Sequence, residues 1–167
     1  YEYLLEREIV NGCHSLLDVG CGSSSPVKAF SNQIEYIVGV DLHQDSIEKS
    51  RAVGIHHRYV QENALNIYEE FGQKSFDCVV ALDLIEHMNK DDGYKLLKAM
   101  ENIAKKKVII FTPNGFLPQS VVDDNQLQEH LSGWDPREMR SLGFTVYGIN
   151  GWRALRGERA QIRYWPK

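Results

Sequence analysis

The chain has little of what staples a small protein or anchors one in a bilayer. Its three cysteines, Cys13, Cys21 and Cys78, are scattered and form no C-x-x-C pair, so neither a zinc knuckle nor a disulfide framework is indicated. The apolar runs are short, such as the five residues 78–82, far below the length that spans a membrane. The opening segment YEYLLEREIV is acidic and has no basic stretch ahead of an apolar one, so it does not read as a secretory leader. A reducing, cytoplasmic setting is the expectation. There is no G-K-[ST] sequence, which excludes a P-loop. No internal repeat or low-complexity stretch is visible.

What is present suits one domain over residues 1–167. Hydrophobic residues make up 43% and charged residues 25%, enough for a packed core and a soluble surface. The net charge of −4 argues against a polycation, but the charge is uneven. Residues 134–167 hold seven basic groups against three acids, a balance of +4, and the remainder carries −8. That basic end suits an anionic substrate or nucleic acid, or is simply a solvated face.

Short apolar runs alternate with helical patterns. Strands are expected at 16–19, 36–41, 56–60, 76–82, 108–112, 145–149 and 160–165. Helices are expected at 1–11, 26–33, 44–53, 65–71, 91–104 and 136–141. Strands separated by helices of roughly ten residues imply right-handed β-α-β units and a parallel sheet covered on both faces. Residues 151–157 leave no room for a crossover helix, so the last two strands should pair as an antiparallel hairpin. The expected fold is therefore a doubly wound α/β sheet of Rossmann-like type, seven-stranded and mostly parallel, with a C-terminal antiparallel hairpin.

In such sheets ligands bind beyond the carboxyl ends of the strands. The first strand ends in DVGCGSSSP. Gly20 and Gly22 match a dinucleotide fingerprint, but Ser25 stands where its third glycine belongs. Asp18 is more telling. A carboxylate there would repel a pyrophosphate by roughly a few kcal/mol in a partly buried setting, and would attract a cation. A ligand with an ammonium, a sulfonium and a nucleoside suits the place, and S-adenosylmethionine has all three. Asp41 ends the second strand at a spacing that reaches ribose hydroxyls in nucleotide-binding α/β folds; its alternative role is to cap the helix that follows.

The motifs LLDVGCG (16–22), VGVD (38–41), ENA (62–64), FDCVVALDLIEHM (76–88), VIIFTPN (108–114) and LGF (142–144) resemble those of class I S-adenosylmethionine-dependent methyltransferases over nearly the whole chain. The resemblance implies a seven-stranded sheet and S-adenosylmethionine as cofactor. It implies that Asp18, Gly20 and Gly22 hold the methionine part and Asp41 the ribose. Leu42 would lie against the adenine, Asn63 and Ala64 at its edge, and Asp83 near the sulfonium. Asn63 stands where the family more often has aspartate.

The donor is already electrophilic, so alignment is the main task and can supply roughly 7–11 kcal/mol. A general base adds about 10²–10⁴-fold where the acceptor holds its proton tightly. His87, after the fourth strand, and His130, in the long loop, are the candidate catalytic residues; the bland alternatives are a helix cap or a hydrogen bond to a backbone carbonyl for His87 and a surface position for His130. His56 and His57 read as structural or exposed. The stretch 113–132 is long enough to be a lid or binding loop. Asn114 would face the acceptor pocket, and Phe116 and Trp134 either frame an acceptor or anchor the loop.

Asp83, Glu86, His87 and His130 form D-x-x-E-H followed by a distant histidine. Such oxygen and imidazole ligands suit Mg²⁺, Mn²⁺ or Zn²⁺. The pattern is similar to E-x-x-E-H with a later histidine in small-RNA 3′-terminal 2′-O-methyltransferases, and partly to ubiquinone-pathway O-methyltransferases. Asp replaces the first Glu and is one methylene shorter, and I-E-H also occurs in methyltransferases without metal, so no metal is assigned. The expected function is methyl transfer to an oxygen or nitrogen of a small-molecule acceptor. The alternatives are an RNA-directed 2′-O-methyltransferase and an inactive cofactor-binding module. A protein partner that completes the acceptor site is the further expectation. An NAD-dependent oxidoreductase is disfavoured by Asp18 and Ser25.

Overall fold

The run SLLDV forms β1 (Ser15–Val19), and its central residues are buried on both faces, as a strand in the middle of a covered parallel sheet must be. In the computed structural model, which describes residues 1–119 and 129–149, β1 pairs in parallel with β2 (Tyr36–Asp41) on one side and β4 (Phe76–Leu82) on the other. Outside these lie β3 (Arg58–Gln61) and β5 (Ala104–Phe111), also parallel. The order is β3-β2-β1-β4-β5. The chain winds outward from β1 in one direction, then returns to its other side at β4. All five strands therefore end at the same rim, with the reversal between β1 and β4 at its centre.

Helices cover both faces. On one, Leu5 and Ile9 of α1 (Glu2–Val10) pack with Val27, Phe30 and the inward residues Leu16, Cys78 and Val80. On the other, Leu96, Met100 and Ile103 of α4 (Lys90–Ile103) meet Leu17, Val19, Val38 and Val79, with Ile67 of α3 (Ile67–Phe71). Alternate residues of β1 thus feed opposite cores, as the two-residue period of a strand requires. Between β2 and β3, α2 (Gln44–Val53) stops at Gly54, whose φ of 73° takes the left-handed turn that ends a helix.

Several expectations change. Residues 26–33 form two short 3₁₀ turns, Pro26–Ala29 and Ser31–Gln33, instead of one helix. β3 begins at Arg58, so His56 and His57 precede it. The described residues contain five strands, all parallel. Of the seven expected, 145–149 lacks strand pairing and 160–165 lies outside the described residues, as does most of the inferred hairpin. Among the described residues no helix is long and apolar enough to cross a membrane.

Beyond β5 the chain comes back over the end of α4. Trp134 is 1% exposed, and its indole N–H reaches Ser132 Oγ (3.0 Å) and the Ile85 carbonyl (3.3 Å). Lys90 Nζ lies 3.6 Å from the ring centre and closes onto Glu138 of α5 (Pro136–Ser141) at 2.6 Å. Gly93 makes the contact possible, because a Cβ there would stand 2.4 Å from Trp134 Cζ2. Helix propensity alone favours Gly93→Ala by about 1 kcal/mol. Overpacking against a fully buried indole costs about 1–3 kcal/mol. Gly93→Ala is therefore expected to destabilise the protein, read as a lower denaturant midpoint with unchanged slope; a rise in the midpoint would show that Trp134 yields.

Candidate active site

The first turn of the rim is held by backbone and carboxylate. Gly20 and Gly22 have φ of 70° and 56°, a region closed to most side chains, and a Cβ on Gly20 would meet Leu84 Cδ1 at 2.7 Å. The N–H groups of Gly20 and Cys21 both donate to the Val40 carbonyl. The Asp41 carboxylate accepts from Gly22 N–H at 2.9 Å and from His43 N–H at 2.8 Å, which binds the end of β2 to the turn after β1. Ser25, the residue in place of a third fingerprint glycine, is buried and accepts from Val27 N–H at 3.2 Å. It caps the next turn.

Leu42 is exposed beside Asp41. Its carbonyl is braced by Gln61 Nε2 at 3.1 Å. At the end of β3, Asn63 Oδ1 caps Leu65 N–H at 2.9 Å, and Ala64 opens that 3₁₀ turn. Gly20, Gly22, Asp41, Leu42, Asn63 and Ala64 thus share one stretch of rim. Asp18 does not lie on its surface. It is 1% exposed, and its carboxylate is 2.8 Å from His56 Nε2, itself fully buried. Asp18, expected to hold the methionine part, is set back from that surface in this structure. His56, read as structural or exposed, is buried and is that carboxylate's partner, a contact that sequence reasoning passed over. The available signals were a histidine following a buried isoleucine and a glycine, Gly39, in mid-strand.

Past β4 the rim changes character. Asp83 has φ of 52°, a left-handed backbone that aspartate tolerates better than most residues. Its N–H donates to the Phe111 carbonyl at 2.9 Å, which tethers it to the end of β5. Glu86 follows in a 3₁₀ turn (Ile85–His87) and is buried. Its carboxylate accepts from Thr112 Oγ1 at 3.0 Å. Burial pushes the Glu86 carboxyl up to about 7, opposed by hydrogen bonds from its own N–H and from Thr112, with the neighbouring Asp83 charge adding to the rise. Asp83 is open on its solvent side, yet its protein-facing side raises its carboxyl too, against the pull of His130.

His87 and His130 come together over this point. Their rings are 4.8 Å apart and meet edge to face. The returning chain brings His130 there, because Leu131 and Ser132 N–H both donate to the Glu86 carbonyl. Each imidazole is oriented by a carbonyl: His87 Nδ1 donates to Glu129 O at 3.1 Å and His130 Nδ1 to Leu117 O at 2.7 Å. In the neutral rings Nε2 is then the lone-pair nitrogen. Ligand atoms of Glu86, His87 and His130 lie within 4.8 Å of one another. Asp83 adjoins Glu86 and is outside that trio. Asn114 is exposed at the end of β5 and bridges to Trp134. Of the two readings of Trp134, framing an acceptor or anchoring the loop, its burial favours the anchor. Phe116 and Leu131 are the apolar residues that stand open here, at 52% and 55% exposure.

A cavity of about 1070 Å³ runs along the β5 edge between Val108–Asn114 and Phe144–Ile149. It contains none of the glycine-turn residues. The rim, where polar groups converge, is the candidate site.

The rim thus carries a glycine turn braced by an acid at the end of the second strand and a histidine pair past the fourth. Residues 17–112 match the family model described as "Methyltransferase domain", and the chain belongs to the class I S-adenosylmethionine-dependent methyltransferase family. It is similar to a ubiquinone biosynthesis O-methyltransferase of Rickettsia canadensis, with 25% identity over 129 residues, 73% of this chain and 52% of the relative. It is 27% identical over 128 residues to a small RNA 2′-O-methyltransferase of Arabidopsis thaliana, 68% of this chain and 13% of that protein. The crystal structure of a SAM dependent methyltransferase from Archaeoglobus fulgidus shares the fold, with a TM-score of 0.66 and 23% identity over 84% of this chain and 64% of that one. The chain thus spans about half of the Rickettsia relative and far less of the Arabidopsis one.

Asp41→Ala removes the acceptor for two turn N–H groups, and bonds to a carboxylate of this kind are worth about 1.5–3 kcal/mol each. Calorimetry should show S-adenosylhomocysteine binding weakened by about tenfold or more. Unchanged affinity would mean that neither the turn nor the ribose depends on Asp41.

Proposed function

We propose that this chain transfers the methyl group of S-adenosylmethionine to a hydroxyl oxygen of a small acceptor, with His87 and His130 taking the proton. The observation that carries the reading is the paired imidazoles, each fixed at Nδ1 by a carbonyl, turned with Glu86 on one point beyond the end of β4. The O-methyltransferase names of both relatives support an oxygen acceptor. Gly20–Gly22, Asp41, Leu42, Asn63 and Ala64 would hold the donor, with its methyl near Asp83. The acceptor oxygen then forms its bond to the methyl carbon as the carbon–sulfur bond breaks. S-adenosylhomocysteine departs, and the hydroxyl proton passes to a lone-pair nitrogen of the histidine pair. Phe116 and Leu131 offer the acceptor an apolar wall, or a seat for a protein partner that narrows the open rim.

A second reading has one specific support. Glu86, His87 and His130 fit a divalent cation, since one carboxylate and two imidazoles converge and both rings donate Nδ1–H to carbonyls, the outer-shell arrangement of metal-ligating histidines. A bound Mg²⁺ or Mn²⁺ would supply Lewis acidity toward a ribose hydroxyl at an RNA end. The chain's own part is to orient the rings through the Glu129 and Leu117 carbonyls.

Radiolabelled donor offered to catechol-type phenols and to short RNAs with hydroxyl or deoxy 3′ ends separates the acceptors. His87→Ala and His130→Ala should each lower transfer by about 10²–10⁴-fold with S-adenosylhomocysteine affinity retained; full activity in both variants would remove the base assignment. Calorimetric titration with Mn²⁺ should show uptake that His130→Ala abolishes if the second reading holds. No uptake at millimolar metal by the intact chain ends it.

A further inference from the structure

A buried polar network lies beneath the glycine turn. Asp18 and His56 side chains are 1% and 0% exposed and 2.8 Å apart. Behind the imidazole, Ser50 Oγ stands 3.5 Å from His56 Nδ1 and 3.1 Å from the Tyr59 hydroxyl. That hydroxyl accepts from the His56 backbone N–H at 3.2 Å. Every donor is matched when Tyr59 O–H is directed at Ser50 and Ser50 O–H at His56 Nδ1. The ring then presents Nε2–H to Asp18. The imidazole is neutral in this arrangement and the carboxylate keeps its charge.

The backbone is shaped to let this happen. Asp18 pairs in register with Gly39 of β2, and the His56 ring lies across the place where a Gly39 side chain would be. A Cβ there would stand 3.0 Å from His56 Cγ and Nδ1 and 3.0 Å from Cys21 Sγ. A glycine in the interior of a strand weakens it and marks a close approach. Here the approaching groups are the histidine that reaches Asp18 and the cysteine of the glycine turn itself. The charges are felt at that turn: after burial, Asp18 and Asp41 are what push the Cys21 thiol above its ordinary value.

We infer that His56 is a positioning residue for the methyl donor: by holding the Asp18 carboxylate it sets both the placement of the Gly20–Gly22 turn and the negative charge beneath it. The donor's α-ammonium is the group that gains from that charge. The groups facing His56 are Asp18 from β1, Cys21 from the turn, Ser50 from α2 and Tyr59 from β3, with Arg51 5.4 Å from the Tyr59 ring. His43 and Asp41 stand at the rim above.

The test measures S-adenosylhomocysteine affinity by calorimetry. Thermal unfolding of each variant serves as the folding control. In His56→Leu, Asp18 is buried without its donor, and affinity should drop by about tenfold or more. His56→Gln keeps an N–H donor for Asp18 and should restore affinity to within about threefold. The Gln arm carries the test where the Leu variant fails to fold. Wild-type affinity in a folded His56→Leu overturns the inference, and so does a loss of about tenfold or more in a folded His56→Gln. Loss of binding in every form, unaltered protein included, would count against donor binding by this chain itself, a distinguishable result.

Discussion

Parallel pairing of β1 with β2 and β4 governs where every polar group ends. Parallel strands in one sheet share a direction, so each strand delivers its last residue to the same edge. The central strands β1, β2 and β4 are largely apolar and buried, β4 along its whole length. Carboxylates and imidazoles that would be costly inside the sheet are tolerated mostly where the strands stop. Asp41 and Asp83 sit at such ends, and Glu86 and His87 one turn further. Two carboxylates remain within these strands. Asp77, near the start of β4, accepts from His14 N–H at 2.9 Å. Asp18 lies within β1, and the structure answers with a buried partner. Such a pair is weak evidence for stability, since the same volume filled by apolar groups is often as stable. Its persistence beside a ligand turn is better understood as a fixed charge near a cationic guest.

Much of this was legible from residue order. The β1, β2 and β4 runs, the glycine turn, the acid at Asp41 and the pairing of His87 with a distant histidine follow from alternating apolar runs and from residue types placed just after them. What escaped did so for physical reasons. His56 and His57 carry β-compatible patterning, yet the β3 ladder begins only at Arg58: His57 N–H still reaches the Ile37 carbonyl at 2.9 Å, and His56 turns inward to Asp18. That contact joins residues thirty-eight apart, and no local period records it. Trp134 looked equally suited to framing an acceptor or to anchoring a loop. The choice depended on Gly93, a helix glycine whose vacancy only the packed structure reveals. Residues 26–33 have helical spacing, but Pro26 and a capping Ser25 start a tight turn that does not propagate.

The site is assembled from two kinds of order. On the donor side, positions are set by strand ends and backbone hydrogen bonds, the least adjustable parts of a fold. On the acceptor side, His130 arrives on a returning segment secured by Trp134, by the Lys90–Glu138 ion pair and by two N–H groups on the Glu86 carbonyl. The ion pair is partly exposed, and alone would add little. Laid over the indole and continued by Tyr94 to Glu138 at 2.6 Å, it belongs to a cluster that fixes the return path.

In the proposed site the donor is held from residues 18–64, and the histidine–carboxylate groups come from residues 83–130. Only Asp83, near the donor's methyl, would serve both, and the topological reversal between β1 and β4 is the seam. Such a division allows inheritance in halves. The later segment can lengthen, shorten or exchange its side chains to suit a new acceptor while the earlier one goes on gripping the same donor, so descendants of one ancestor can diversify in what they modify without relearning what they carry.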